Sequence, residues 1–166
     1  MTVSEVPSAA IAAAVGEARV LLRLEGTGEQ ALLERLAASA IALAEAFTGT
    51  LLIARGLAEV LPAAAGNWQL LSAVPVRAIS NVAGLPADGA AFALPAGGFA
   101  VDVDGEARGW VRVIASGAAG RVTVSYSAGL ADDWAGVPAP IAQGVGLLIA
   151  HLFNDREAGQ APPRDR

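Results

Sequence analysis

The chain has 166 residues, 54% of them hydrophobic and 16% charged, with a formal net charge of −5, one histidine and no cysteine. That fits one core-forming domain, excludes a disordered chain, and rules out a disulfide framework, a thiolate zinc site and a cysteine nucleophile. A lone His151 leaves too few ligands for a transition-metal site, so no metal or cofactor is expected.

The first helix is predicted over about residues 8–24, where Ile11, Val15, Ala18 and Leu22 recur at spacings that share one face. Gly26 and Gly28 interrupt it. A second helix, about 28–48, begins with a capping-box pattern at Thr27 and Gln30. Its expected buried stripe is Leu33, Leu36, Ala40, Leu43 and Phe47, widened by Leu32, Ile41 and Ala44, and Gly49 supplies the stop.

Between about 50 and 128 short apolar runs alternate with turn signals, which predicts a β-rich insertion. Strands are expected at Pro75–Val82, Ala90–Leu94, Phe99–Val103, Trp110–Ile114 and Arg121–Tyr126, the last alternating cleanly. Asp104-Gly105 reads as a two-residue hairpin turn. A third helix, about 139–157, follows Pro138 with the stripe Ile141, Val145, Leu148 and Leu152, extended by Ile149 and Phe153. Gly144 and Gly146 leave room on it for close approach of a neighbour. The fold class is therefore α+β: two N-terminal helices, a central antiparallel β-meander of about four or five strands, and a C-terminal helix. Residues 1–157 form a single domain, and 158–166, with Pro162-Pro163, form an extended tail that is either flexible or ordered by a partner.

No stretch of about 20 apolar residues runs unbroken, so no membrane association is expected. Glu5 stands where a signal peptide would be positive, which reads as a soluble, non-secreted chain. All eleven basic residues are arginine, scattered singly from Arg19 to Arg166, and form no nucleic-acid-binding stripe.

Several short motifs carry possible chemistry. Gly26-Thr-Gly28-Glu-Gln-Ala31 matches the G-x-G-x-x-A turn of dinucleotide sites and supplies the alternative reading, a nucleotide- or small-ligand-binding protein. Against it, the preceding Val20-Leu21-Leu22 belongs to a helical stripe, and Glu25 and Glu29 would repel a pyrophosphate. Asp102-Val-Asp104-Gly105-Glu106 resembles part of a calcium loop but lacks the remaining ligands, and the hairpin explains it. His151 lies beside a helical stripe with no Gly-x-Ser-x-Gly elbow in the chain, and Asp132-Asp133 and Asp155-Arg156-Glu157 read as solvated or subunit-bridging charges. No catalytic constellation results, and no enzymatic activity is expected.

Taken in order, the segments resemble the head–tail connector (adaptor) proteins of long-tailed bacteriophages and gene transfer agents. The resemblance rests on Leu22-Arg23-Leu24 at the end of the first helix and Glu45-Ala46-Phe47-Thr48-Gly49 at the end of the second. It continues through Pro75-Val76-Arg77-Ala78-Ile79, Val122-Thr-Val-Ser-Tyr126-Ser-Ala-Gly129 and His151-Leu-Phe153-Asn-Asp-Arg156-Glu157. It spans roughly residues 9–157, with Phe47 and Phe153 where the family more often has tyrosine and a loop, 25–29, with fewer acids than usual.

What the resemblance implies is a structural subunit of the virion neck, assembled in the bacterial cytoplasm. It would form a homo-oligomeric ring, a dodecamer, beneath the portal protein. The ring would extend the DNA channel, let DNA pass through its lumen without specific binding, and dock a head-closure or tail-terminator protein. Another neck component, such as a head-closure (stopper) protein, is the second reading. The expected interface residues are Gly144, His151, Asn154, Arg156 and Glu157 on the third helix and Pro162, Pro163 and Arg164 in the tail.

Overall fold

In the computed structural model, which describes residues 2–26 and 28–158, the apolar periodicities become three helices. These are α1 (Ser8–Leu22), α2 (Gln30–Thr48) and α3 (Ala139–Ala158). Two units result. Val6–Thr48 and the residues from Asp133 onward form a helical unit; the residues up to Glu5 and Gly49–Asp132 form a sheet unit.

In the helical unit each helix contacts the other two. The buried face is set by Ala10, Ala14, Val15 and Ala18 on α1, Leu33, Ala37, Ala40 and Ile41 on α2, and Val145, Ile149 and Phe153 on α3. The alanines let the helices approach closely, while the aliphatic and aromatic side chains fill the space between them. The α2 stripe is rotated from the expected one. Leu43 is about half exposed and Phe47 is 94% exposed, because the face that packs runs Leu33, Ala37, Ala40, Ile41 and Glu45. Leu33 and Ala40 of the expected stripe are buried, but alanine at 37 carries too little hydrophobicity to outweigh Leu43 and Phe47 in a periodicity count, yet close packing selects it.

Helix α1 ends earlier than the glycines suggest. Arg23 takes the left-handed conformation at φ 54°, and Leu24 N–H donates to Arg19 O at 3.1 Å. At the start of α2 the Gln30 side chain donates to Glu34 Oε1 at 2.8 Å and Leu33 N–H donates to Glu29 O at 3.0 Å; Thr27, the expected cap, lies outside the described residues.

The sheet unit holds β1 (Thr2–Val3), β2 (Arg55–Pro62), β3 (Trp68–Leu70), β4 (Val76–Leu85), β5 (Phe92–Ala93), β6 (Phe99–Val103), β7 (Gly109–Val113) and β8 (Arg121–Ala128). They divide between a five-stranded sheet, order β1-β2-β8-β4-β5, and a three-stranded sheet, order β3-β7-β6, with every pairing antiparallel. The α+β class read from the sequence stands, with β8 at the centre of the larger sheet. Its Val122, Val124, Tyr126 and Ala128 are buried while the intervening residues are more exposed, the alternation a central strand with one core face requires.

Two glycines fix this unit. At Gly109 a Cβ would stand 2.8 Å from Leu71 Cδ1 and 3.0 Å from Val76 Cγ2, so any larger residue would have to displace Leu71 and Val76 in the core. At Gly129, with φ +147°, a Cβ would stand 2.4 Å from the backbone of Ala54. That explains the Ala128-Gly129 ending of the β8 motif: the chain leaving the sheet runs directly against residues 53 and 54, where Ala54 N–H donates to Ala131 O at 2.8 Å.

Candidate interaction surface

Chemistry that the sequence held open is spent on structure. The Gly26-to-Ala31 turn joins α1 to α2, so a helix rather than a strand precedes it. Gly26 takes φ +84°, as a chain-reversing glycine does. Asp104 is occupied by its own hairpin. Its Oδ1 accepts from the N–H groups of Glu106 and Arg108, both at 2.9 Å, and its Oδ2 accepts from Arg108 Nε at 3.0 Å and Trp110 Nε1 at 2.9 Å. The indole donor first, then the Arg108 backbone N–H, hold this carboxyl well below the usual carboxylate range.

The turn itself differs from the expected two-residue form. Ala107 N–H donates to Asp104 O at 3.0 Å and Ala107, not Gly105, is left-handed at φ 56°. This is a type I turn closed by a left-handed residue, a three-residue loop. The Asp104 carboxylate selects it by capping N–H groups that a type I′ turn would aim elsewhere.

A second polar cluster links β2, β8 and the segment after β3. Glu59 Oε2 accepts from Tyr126 OH at 2.9 Å, Ser72 Oγ at 2.8 Å and Ser72 N–H at 3.1 Å. Burial, then the Glu59 carboxylate, push the Tyr126 phenol up to about 12. This network ties β2, β8 and the Ser72 segment together. Among the described residues no group of three or more His, Asp or Glu is placed to hold a metal ion, and no helix is long and apolar enough to cross a membrane.

What remains at the surface is apolar. In the helical unit a groove of about 530 Å³ is lined by Glu17, Val20 and Leu21 of α1, the short 3₁₀ helix Trp134–Gly136, Val137, and Ala139, Ala142 and Gln143 of α3. Val20 is 78% and Leu21 49% exposed, although both sit on a well-formed helix. The Trp134 side chain is buried, yet its Nε1–H makes no hydrogen bond. Phe47 and Leu43 stand out from α2 and Leu147 from α3. In the sheet unit Trp68, Leu70 and Trp110 share the outer face of the three-stranded sheet, and the Arg112 guanidinium lies 4.9 Å from the Trp68 ring centroid. Scattered exposed apolar residues are ordinary, but grooves and clusters of this kind mark contact surfaces.

Of the residues singled out from the sequence, Gly144, His151 and Asn154 lie on the exposed side of α3, with Leu147 between them. His151 Nε2 is 3.7 Å from Asp155 Oδ2, an exposed pair one helical turn apart. Gly144 faces open space, whereas Gly146 is the one at a close approach: a Cβ there would stand 3.1 Å from Leu21 Cδ1. Arg156 and Glu157 continue α3, and Pro162, Pro163 and Arg164 lie outside the described residues. The groove, Phe47 and the Trp68 cluster are not legible in the sequence, because Val20, Leu21 and Phe47 fall within helical stripes and Trp68–Leu70 is too short to show a period. Phe47 after an alanine-rich face was the available signal.

Comparison with known proteins gives one consistent result. No family model and no curated protein matches the chain. Among solved structures, it is 30% identical to a chain in the neck of an empty gene transfer agent particle computed with C6 symmetry, at a TM-score of 0.73. It is 29% identical to a chain in the virion of a native gene transfer agent particle, TM-score 0.70, and to one in the neck of the native particle computed with C12 symmetry, TM-score 0.67. Each match covers 93% of this chain and 84% of the other.

Proposed function

Because the chain belongs to the neck-type structural proteins of tailed phages and gene transfer agents, we propose that it is the head–tail connector (adaptor) subunit. It forms a ring below the portal, twelve-membered by the C12 symmetry of a similar neck, and carries the DNA channel toward the tail. The observation that carries this reading is a likeness over nearly the whole length of both chains to structures that are rings in a neck. The work of such a subunit is binding and positioning, and it has no catalytic role.

The surfaces support it. A ring contact is heterologous, so each subunit must offer two different complementary patches. The helical unit offers a groove and projecting apolar side chains. The exposed side of α3, with Gly144, His151 and Asn154, and the tail with Pro162, Pro163 and Arg164 are assigned to the portal or a neighbouring subunit. A net charge of −5 and isolated arginines let DNA slide past without being gripped. The helix-to-helix setting of Gly26 and Gly28 gives the nucleotide alternative no comparable support.

Electron microscopy of particles from a producing strain lacking this gene tests the assignment. DNA-filled heads beside separate, finished tails are expected. Normal tailed particles would overturn it.

A further inference from the structure

The helical unit carries a projecting aromatic and an apolar groove, and the two suit each other rather than anything else in the chain. Phe47 is the most exposed large apolar side chain among the described residues and stands in the last turn of α2. At 1.5 Å per residue α2 sets it about 25 Å along the axis from Gln30. The groove has α1 residues near the short connection to α2 on its wall, so the two features sit toward opposite ends of the helix pair. A projection and a recess at opposite ends of one unit cannot meet within a chain, and they propagate head to tail between copies.

We propose that Phe47 of one subunit seats in the groove of the next, against Val20, Leu21, Trp134 and Ala142, and that this is the contact closing the ring. The proposal rests on the ring reading above and adds which surfaces meet. Three observations select a second copy as the occupant. The groove volume of about 530 Å³ accommodates an aromatic ring with its flanking helix turn, within the ordinary range of binding clefts.

Two cations beside the groove suit the end of a neighbouring α2. The carbonyl end of α2 has no basic residue of its own in its last turn, so its negative dipole end favours a cation from elsewhere. Beside the groove Val20 is flanked by Arg19 and Arg23, neither ion-paired with a described residue, with Glu17 on the groove wall and Glu25 beyond Arg23. Finally, the buried Trp134 Nε1–H on the groove wall has no acceptor, and a buried donor without one is costly. A carbonyl from the end of a neighbour's α2, carried in with Phe47, is the acceptor it lacks.

The chain has no cysteine, which makes the test direct. Phe47→Cys and Ala142→Cys chains are co-expressed in the producing strain, and assembled particles are purified and oxidised. The expected product is a mixed 47–142 disulfide dimer, at about tenfold or more the yield obtained when Phe47→Cys is combined with the control Val101→Cys, since assembly raises the local concentration of one pair only. The double variant carrying both cysteines gives a ladder of covalent oligomers. Particles that contain the chain but yield no 47–142 adduct overturn this contact and leave the ring standing. Particles that form normally without the chain overturn the ring reading and the contact with it. Should the cysteine pair hinder assembly, Phe47→Ser in the soluble chain is the second variant. Unchanged melting with lost incorporation into particles supports the contact, and unchanged incorporation overturns it.

Discussion

Arg77 Nε donates to the carbonyl oxygen of Gly129 at 2.7 Å. The arginine belongs to the Pro75-Val76-Arg77 motif and the glycine to the motif that ends β8, so two segments some fifty residues apart in sequence are direct partners. They are also paired strands, with Val76 opposite Ala128 and Ile79 opposite Tyr126. Arg77 adds a second donor to Leu130 O at 3.2 Å and an ion pair with Asp132. One guanidinium thus ties down the backbone where the chain leaves the sheet.

Arg77→Lys tests that tie. Lysine keeps the charge but loses the fixed fork of donors, so the Gly129 and Leu130 carbonyls cannot both be served. A loss of about 1–2 kcal/mol in urea unfolding is expected, with the Asp132 pair contributing little because it is largely exposed.

Gly129→Ala is expected to be far worse. It places a Cβ 2.4 Å from Ala54 backbone atoms at a φ that alanine rarely adopts. The expected cost is about 3 kcal/mol or more, through strain and overpacking together. Gly144→Ala makes the contrast: in open space inside a helix it should stabilise the isolated chain by about 0.5–1 kcal/mol. Thermal melts of both variants beside the parent decide each claim.

Tyr126→Phe removes one of the donors to Glu59 and leaves that carboxylate under-satisfied. A cost of about 1–2 kcal/mol is expected. The pH dependence has a definite sign. The phenol is raised to about 12 in the folded chain against about 10 when unfolded, so its contribution is complete below about pH 10 and is lost as the pH rises through about 12. Alkaline unfolding curves should show that slope in the parent and lack it in Tyr126→Phe.

Asp104 works in the other direction. Its folded carboxyl is held low, so the stability it supplies is present above its unfolded value of about 3.9 and is lost as the pH falls below that. Asp104→Asn should flatten this acid limb. It should also shift the Trp110 indole N–H resonance, because an amide cannot accept all four hydrogen bonds.

These residues also show what the sequence could reveal. β8 was legible because its valines and Tyr126 alternate against polar neighbours without interruption. β2 was not: Gly56 and Glu59 break its pattern, and the Glu59 carboxylate is satisfied only by Ser72 and Tyr126, residues far along the chain. β1 and β3, at two and three residues, are too short to carry a period and exist through their partners. The hairpin position was readable from Asp104-Gly105, but its type was set by where Arg108 and Trp110 donate. On α2 the count of large side chains points to Leu43 and Phe47 as core, while the packing uses Ala37 and Ala40 beside Leu33 and Ile41 and leaves those two outside. Misplaced hydrophobic residues of that kind became the candidate surface.

The division of the chain into units has a consequence for its synthesis. α1 and α2 are translated before Gly49–Asp132, but the third wall of their core, α3, is translated after the whole of it. The sheet unit has all its strands once Asp132 has emerged, whereas the helical unit must wait with its Leu33 and Ile41 face uncovered. Chains truncated after Asp132 should therefore resist protease across the sheet and be cut within α1 and α2. The groove and the exposed side of α3 therefore take shape only after α3 has been made, later than the sheet.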